Sequence, residues 1–367
     1  MIDFASPPLV PETPESPAKE KQVLTFSSLN VLRTCPRQFK LRFIDQLFPR
    51  DQDADQRYFG TVIHRALELW YGQRALDSDS EIDRKLVLEL IDKQCKDREK
   101  DPDVKKMWFL ARSMFEAYID CHGNDDKWKI RDIEKAFVGK IINPETNAQS
   151  KTFDMKGKID LLIEMTGSGE QDGLYIVDHK TLSSWTEKEI DKLHIDTQMA
   201  VYVYYMRQLG IPVKGFVYNV LLKTQIKQKQ GETQEEFDIR YAEACAKNKS
   251  GKSSATREMP ETDEQYAARL ADWFKKEQRF HRIVVELPES RLNLIQQEIW
   301  DLTQDYLSRK RRDYWCCNSG ACYKYFRPCD YLPYCRSNFD EQVKKELFGV
   351  TDTAHPEFEV WDGGDFM

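Results

Sequence analysis

The sequence predicts an α/β protein: a mixed β-sheet core flanked by helices, with a helical layer ahead of it and a cysteine-rich segment behind. Three observations lead there. From about residue 129 to 182, three runs alternate in the manner of strands. The stretches before and after them repeat apolar residues at helical spacing. Five of the nine cysteines crowd between Cys316 and Cys335.

The elements follow in chain order. Residues 1–22 are rich in proline and acidic side chains and read as a flexible tail. They lack the basic start and apolar core of a secretory signal, which suits an intracellular, cytoplasmic protein. Ser27 and Ser28 offer N-caps for a short helix that ends at Thr34-Cys35-Pro36, and Arg37 to Leu47 reads helical again. Cys35 therefore lies at a helix junction. A helix from Gly60 (GTVIHRALELWYGQRAL) and two more over roughly 81–98 and 103–121 complete a helical part spanning 23–125.

In the core, 126–222, KIRDIEKAFVGKII, TFDMKGKIDLLIEM and LYIVDHKTL form a β-meander, its last two strands separated by TGSGEQDG. A helix over 186–209, stopped at Gly210, then leads to the strand IPVKGFVYNVLL. Residues 223–261 are rich in Lys, Gln and Glu with little apolar content, and read as an insertion or mobile loop. The segment 262–340 holds a helix near 262–278, the strand HRIVVEL, an amphipathic helix over 289–312 and the cysteine cluster; 341–367 reads as an acidic tail.

Composition narrows the function classes. With 367 residues the chain can bury a sizeable core, and no apolar run approaches the eighteen or so residues that cross a bilayer. A net charge of −7 argues against a surface coated with phosphate-binding residues, although Arg309 to Arg312 and Arg37, Lys40 and Arg42 form local basic groups. Crowded cysteines in a reducing compartment point to metal rather than disulfides, whereas Cys95, Cys121 and Cys245 have no partner spacing.

Asp160 stands in GKIDLLIE; Asp178 and Lys180 take alternate positions in IVDHKT and so share one face of a strand. Two carboxylates hold Mg²⁺ or Mn²⁺ through oxygen, and a neighbouring lysine orients water or stabilises the pentacovalent phosphate of phosphodiester hydrolysis. On its own, D-x-K describes many salt-bridged strand ends. His64 and Glu68 lie one turn apart on a helix, as do Gln198 and Tyr202.

In CPRQFKLRFI, GTVIHRALE, GKIDLL, IVDHKT and QMAVYVYYMRQLG, taken in that order over roughly residues 25–340, the chain resembles the PD-(D/E)XK nuclease superfamily. It is most similar in pattern to the RecB-like branch, which includes CRISPR adaptation exonucleases and phage-encoded nucleases. The resemblance implies a restriction-endonuclease-like core in a cytoplasmic, bacterial or phage-encoded enzyme. It implies His64, Asp160, Asp178 and the His179 backbone carbonyl as ligands of Mg²⁺ or Mn²⁺, Lys180 as the catalytic lysine, and Gln198 and Tyr202 as residues that place the DNA. Glu134 is a weaker candidate, a structural or outer-shell acid before the sheet.

The same resemblance implies a 4Fe-4S cluster on Cys35, Cys322, Cys329 and Cys335, one thiolate ahead of the catalytic motifs and three behind. The six-residue gap between Cys322 and Cys329 is wider than the usual C-x-x-C. Cys316 or Cys317 is thus an alternative ligand, and a local Zn²⁺ site on Cys317, Cys322, Cys329 and Cys335 an alternative centre. The expected function is a DNA exonuclease or end-processing nuclease acting on single strands or strand ends. The alternative is a non-catalytic DNA-binding subunit of a recombination complex. No G-x-x-x-x-G-K-[ST] motif is present, so any helicase or recombination motor is a separate partner.

Overall fold

A computed structural model describes residues 21–50, 54–76, 83–96, 102–123, 127–224, 226–276, 279–324 and 327–350. Most of the expected N-terminal tail, residues 351–367 of the acidic tail, and the expected helix ends at 81–82, 97–98 and 277–278 lie outside the described residues. β1 (Gln22–Leu24) leads into α1 (Phe26–Thr34). Thr25 rather than Ser27 or Ser28 is the N-cap. Its hydroxyl accepts the Ser28 N–H while the Ser28 hydroxyl accepts the Thr25 N–H, so two end donors are satisfied reciprocally.

Cys35 ends α1 in extended backbone, and Pro36 opens α2 (Pro36–Phe39), where its missing N–H costs nothing. The helix expected from Arg37 to Leu47 is shorter than that. It loosens into one π turn over 40–44, reverses at Gln46 (φ 51°) and becomes β2 (Leu47–Pro49). The helical layer follows as α3 (Ala54–Leu76), α4 (Arg84–Lys96) and α5 (Pro102–His122).

β3 (Trp128–Ile142), β4 (Gln149–Met165) and β5 (Gly173–Leu182) form the antiparallel meander. The expected single helix over 186–209 is two, α6 (Glu187–Leu193) and α7 (Thr197–Gln208). Asp196 makes the break by turning its carboxylate onto the Met199 N–H (2.8 Å) as the N-cap of α7. Gly210, with φ 81°, stops α7, and β6 (Val213–Leu222) returns parallel to β5.

The segment 223–261 is not a plain loop, because it carries α8 (Gln234–Lys247), capped at Thr233. Glu232 pairs with Arg240, and Glu261 pairs with Arg269 while accepting the Lys229 N–H (3.0 Å). Ion pairs and hydrogen bonds order it, which is why its low apolar content misled. α9 (Asp263–Lys276), β7 (Phe280–Glu286) and α10 (Glu289–Arg312) follow as expected. The cysteine-rich end adds β8 (Tyr323–Lys324), β9 (Arg327–Pro328) and α11 (Leu332–Arg336). Residues 341–350 are structured rather than tail: α12 (Glu341–Leu347) precedes β10 (Phe348–Val350), which pairs with β2.

The sheet is mixed and flanked by helices, as expected of a restriction-endonuclease-like core. β3 lies along one edge of β4. On the other edge β1 runs parallel to the first half of β4 and β5 antiparallel to its second half, and β6 and β7 continue outward. α1, α7 and α10 bury their apolar faces on one side of this sheet, and α3, α4, α5 and α9 on the other. A third, smaller core of Leu41, Leu47, Tyr331, Tyr334 and Phe348 seats the cysteine-rich end on the N-terminal segment. No helix among the described residues is long and apolar enough to cross a membrane.

Candidate active site

The β4–β5 ladder pairs Leu161 with Val177 and goes no further. One residue beyond that pair stand Asp160 and Asp178. There the His179 N–H donates to the Asp160 carboxylate (2.9 Å) instead of to strand backbone, so the strands part where the two acids face each other. The alternation of β4 also slips here: Ile159 packs into one core and Leu161 into the other. Opposite the slip, Glu134 holds a left-handed φ of 48°. Glu134 is thus inside the sheet, not before it, paired with Lys158 (2.5 Å).

Asp178 is buried, its carboxylate held by Lys180 Nζ at 2.9 and 3.0 Å. His64, from α3, brings Nδ1 to 3.5 Å from Asp160 Oδ2. One helix and two strands therefore converge on the four residues that the sequence had singled out. Burial raises the Asp160 carboxyl above the ordinary range; His64 opposes this, Asp178 adds to it, the His179 N–H bond opposes it and Glu134 adds to it. Burial works to lower the Lys180 ammonium, but Asp178, with Asp160 and Asp196, outweighs burial and raises it. Lys180 is a firm cation. Burial first, then His64, Arg282 and Lys180, pushes His179 well below the ordinary histidine value, so its imidazole is neutral.

α7 presents Gln198 and Tyr202 to the same place. Gln198 Nε2 donates to the Tyr202 hydroxyl (3.3 Å), and the Tyr202 ring meets Phe137 edge-on (5.6 Å). Burial raises the Tyr202 phenol and Asp178 adds to the rise, which puts the ring within the field of the acids. Asp196 was not anticipated: besides capping α7, it accepts the Tyr218 hydroxyl (2.7 Å), and Tyr218 pairs in register with Asp178. Its signal was an aspartate directly before a helical run.

Carboxylate oxygens and one imidazole suit a hard divalent cation. Burial raises the Glu68 carboxyl and Glu134 adds to the rise against Lys158, Arg65 and His64, so Glu68 and Glu134 adjoin the group of His64, Asp160, Asp178 and Lys180. Among the described residues no three His, Cys, Asp or Glu side chains form a ready-made metal-binding group; Asp178 is held by Lys180.

At the other end of the chain, one cavity is lined by Cys35, Cys317, Cys322, Cys329 and Cys335, with Gln38 beside them. Thr34 O accepts the Asn318 amide (2.8 Å), and the Arg37 N–H donates to Cys316 O (3.1 Å), stitching the two segments together. Cys317 lines the cavity, whereas Cys316 accepts a hydrogen bond from Arg309 (3.2 Å). Five thiols from both ends of the sequence fit a thiolate-bound centre in donor type. Burial first, then the neighbouring thiols Cys317, Cys329 and Cys35 with Arg37 opposing, pushes Cys335 up to about 11. The basic groups are partly used internally: Arg309 pairs with Asp305, Lys40 with Asp45, and Arg37 donates to Trp315 O.

Residues 23–336 match the family model of the PD-(D/E)XK nuclease superfamily. No curated protein matches the chain.

Proposed function

The chain belongs to the PD-(D/E)XK nuclease superfamily, and from that premise we propose that it is a Mg²⁺- or Mn²⁺-dependent DNA nuclease of the RecB-like branch. It acts as an exonuclease or end-processing enzyme on single strands or strand ends during recombination or repair. The observation that carries this reading is the meeting of His64, Asp160, Asp178 and Lys180 where β4 and β5 part.

His64, Asp160, Asp178 and the His179 carbonyl would hold the divalent cation. When bound, that cation supplies Lewis-acid polarisation and charge neutralisation at the scissile phosphate. Lys180, kept protonated by Asp178, donates hydrogen bonds to the attacking water and to the phosphoryl oxygen on which charge develops. Gln198 and Tyr202, coupled on α7, orient the strand against these groups. The partly buried carboxylates repel an unneutralised phosphate, which makes DNA engagement and cation loading interdependent.

Cys35, Cys322, Cys329 and Cys335 hold a 4Fe-4S cluster in this reading, with a structural role: it fastens the end of α1 to the cysteine-rich segment. The chain is a cytoplasmic enzyme that works beside a separate unwinding or recombination protein. Purified protein on end-labelled single- and double-stranded DNA, with Mg²⁺ or Mn²⁺ and with blocked or free 5′ and 3′ ends, tests the activity. Asp178→Ala and Lys180→Ala are expected to slow cleavage on the order of a thousandfold or more while leaving the circular dichroism spectrum unchanged. Parental rates in either variant would overturn the assignment.

A further inference from the structure

A row of polar side chains crosses the sheet directly behind the site. His179 on β5 pairs in register with Asn219 on β6, and Asn219 with Arg282 on β7. The row lies on a face whose neighbouring residues, Val177, Val217, Leu221 and Val284, pack into apolar core. Asn219 is completely buried, and its amide lies 2.8 Å from both His179 Nδ1 and the Tyr118 hydroxyl. The Tyr118 and Tyr71 hydroxyls are 2.6 Å apart, and Arg282 donates to both, at 3.2 and 3.1 Å. The Tyr71 ring lies parallel to the His179 imidazole (8°, 5.7 Å), and the Arg282 guanidinium rests 3.7 Å from the Trp128 ring centre.

Burying this many polar groups adds little net stability over an apolar row, because bonds to water are exchanged for bonds to protein and the Asn219 Oδ1 finds no partner among the described residues. What directional bonds add is a fixed register, whereas apolar packing tolerates sliding. The two ends of the network are telling. Tyr71 stands two turns from His64 on the same face of α3, and His179 adjoins Asp178 on β5. We propose that Tyr71, Tyr118, Asn219 and Arg282 are positioning residues. Through the His179 side chain they lock α3 against β5, and so set the His64–Asp160 spacing and the aim of the His179 carbonyl on which cation affinity depends. This inference rests on the cation site proposed above.

The test measures Mn²⁺ binding by calorimetry on the full chain, with the thermal midpoint of the metal-free protein and the Mn²⁺ dependence of cleavage alongside. Tyr71→Phe removes one hydroxyl, and Asn219→Leu keeps the shape but not the amide. Both are expected to weaken Mn²⁺ binding about 10- to 100-fold. The half-saturating Mn²⁺ for cleavage should move by the same factor, and Tyr71→Phe should regain the parental rate at saturating Mn²⁺. If Asn219→Leu fails to fold, Tyr71→Phe decides alone. A lowered midpoint with unchanged Mn²⁺ affinity would overturn the positioning role and leave a structural one. Asp178→Ala separates the two readings: parental Mn²⁺ binding that survives this substitution overturns the cation site itself, and the network's role with it.

Discussion

Gly139→Ala tests whether the active-site helix is seated as tightly as the structure requires. A Cβ on Gly139 of β3 would lie 2.0 Å from Tyr205 Cδ1 and 2.5 Å from Cε1. Carbon atoms in contact settle at about 3.5 Å, so the ring must retreat by about 1.5 Å. Tyr205 is fully buried, stacked on Phe137 (5.8 Å, 24°) and met edge-on by Tyr204 (5.0 Å), so its ring has neighbours on the way and no solvent to retreat into. The retreat must therefore carry α7 with it, and α7 bears Tyr202 one turn and Gln198 two turns upstream. Overpacking of this kind costs about 1–3 kcal/mol, and a shift of about 1 Å in positioning groups slows cleavage up to about a hundredfold. The assay pairs a thermal melt with single-turnover cleavage of end-labelled DNA at saturating metal. Gly72→Ala is the control: on α3 its Cβ meets only Ile133 Cδ1, at 3.9 Å, so it should stabilise by about 0.5–1 kcal/mol and leave cleavage unchanged. Parental stability and parental rate in Gly139→Ala would refute this account of the seat.

Anaerobically purified protein should contain iron and acid-labile sulfide; stoichiometric zinc without sulfide would instead favour the local zinc centre. Cys35→Ser should lose iron and melt at a lower temperature, while Cys317→Ser keeps its iron; full iron in Cys35→Ser would remove Cys35 from the ligand set. Glu134→Gly should be more stable than Glu134→Ala by about 1 kcal/mol in urea melts, because only glycine adopts the left-handed φ of 48° without strain. Hydrogen bonding to Arg269 lowers the Glu261 carboxyl to about 2, with burial opposing and the Lys229 N–H adding to the fall. Because the folded value lies below the ordinary one, this bond stabilises the insertion above the normal glutamate range and is lost as pH falls through it toward about 2. Exchange of the Lys229 amide, which Glu261 accepts, should therefore gain protection with rising pH across that window, beyond the intrinsic trend; no change would exclude the clasp.

The strands that carry Asp160, Asp178 and Lys180 were legible because a period of two places alternate residues such as Asp178 and Lys180 on one face, although the slip of β4 at Asp160 was not. Gly210 was legible for a similar reason, since a left-handed stop favours glycine. The break at Asp196 was not, because apolar residues keep helical spacing through 186–209 and only the local choice of an aspartate as N-cap interrupts it. Thr25 was missed in favour of Ser27 and Ser28 because three of the four positions 25–28 bear hydroxyls that satisfy the cap pattern, and the strand before them decides among them. The row His179, Asn219 and Arg282 lay beyond reach altogether: its members sit on three strands, and register between strands is set by the whole sheet.

The distance between the cysteine centre and the active site is bridged by packing. α1 ends at Cys35, and α10 runs from Glu289 to Arg312 before the chain turns into the cysteine-rich segment. α10 packs against both α1 and α7, and Thr197 and Val201 of α7 line one small pocket with Phe26 and Leu29 of α1 and Ile295 and Ile299 of α10. In the proposed reading, fastening Cys35 to the segment beyond α10 would hold α1 on α10, and α10 in turn supports the helix that carries Gln198 and Tyr202. Loosening that fastening would free α1 from α10 and weaken the support that α10 gives α7, while the β4–β5 junction, held by its own ladder and by the Asp178–Lys180 pair, would keep its geometry. On the proposed reading, the cysteine centre would act on the placing of DNA through α10 and α7 and leave the carboxylates and lysine in position.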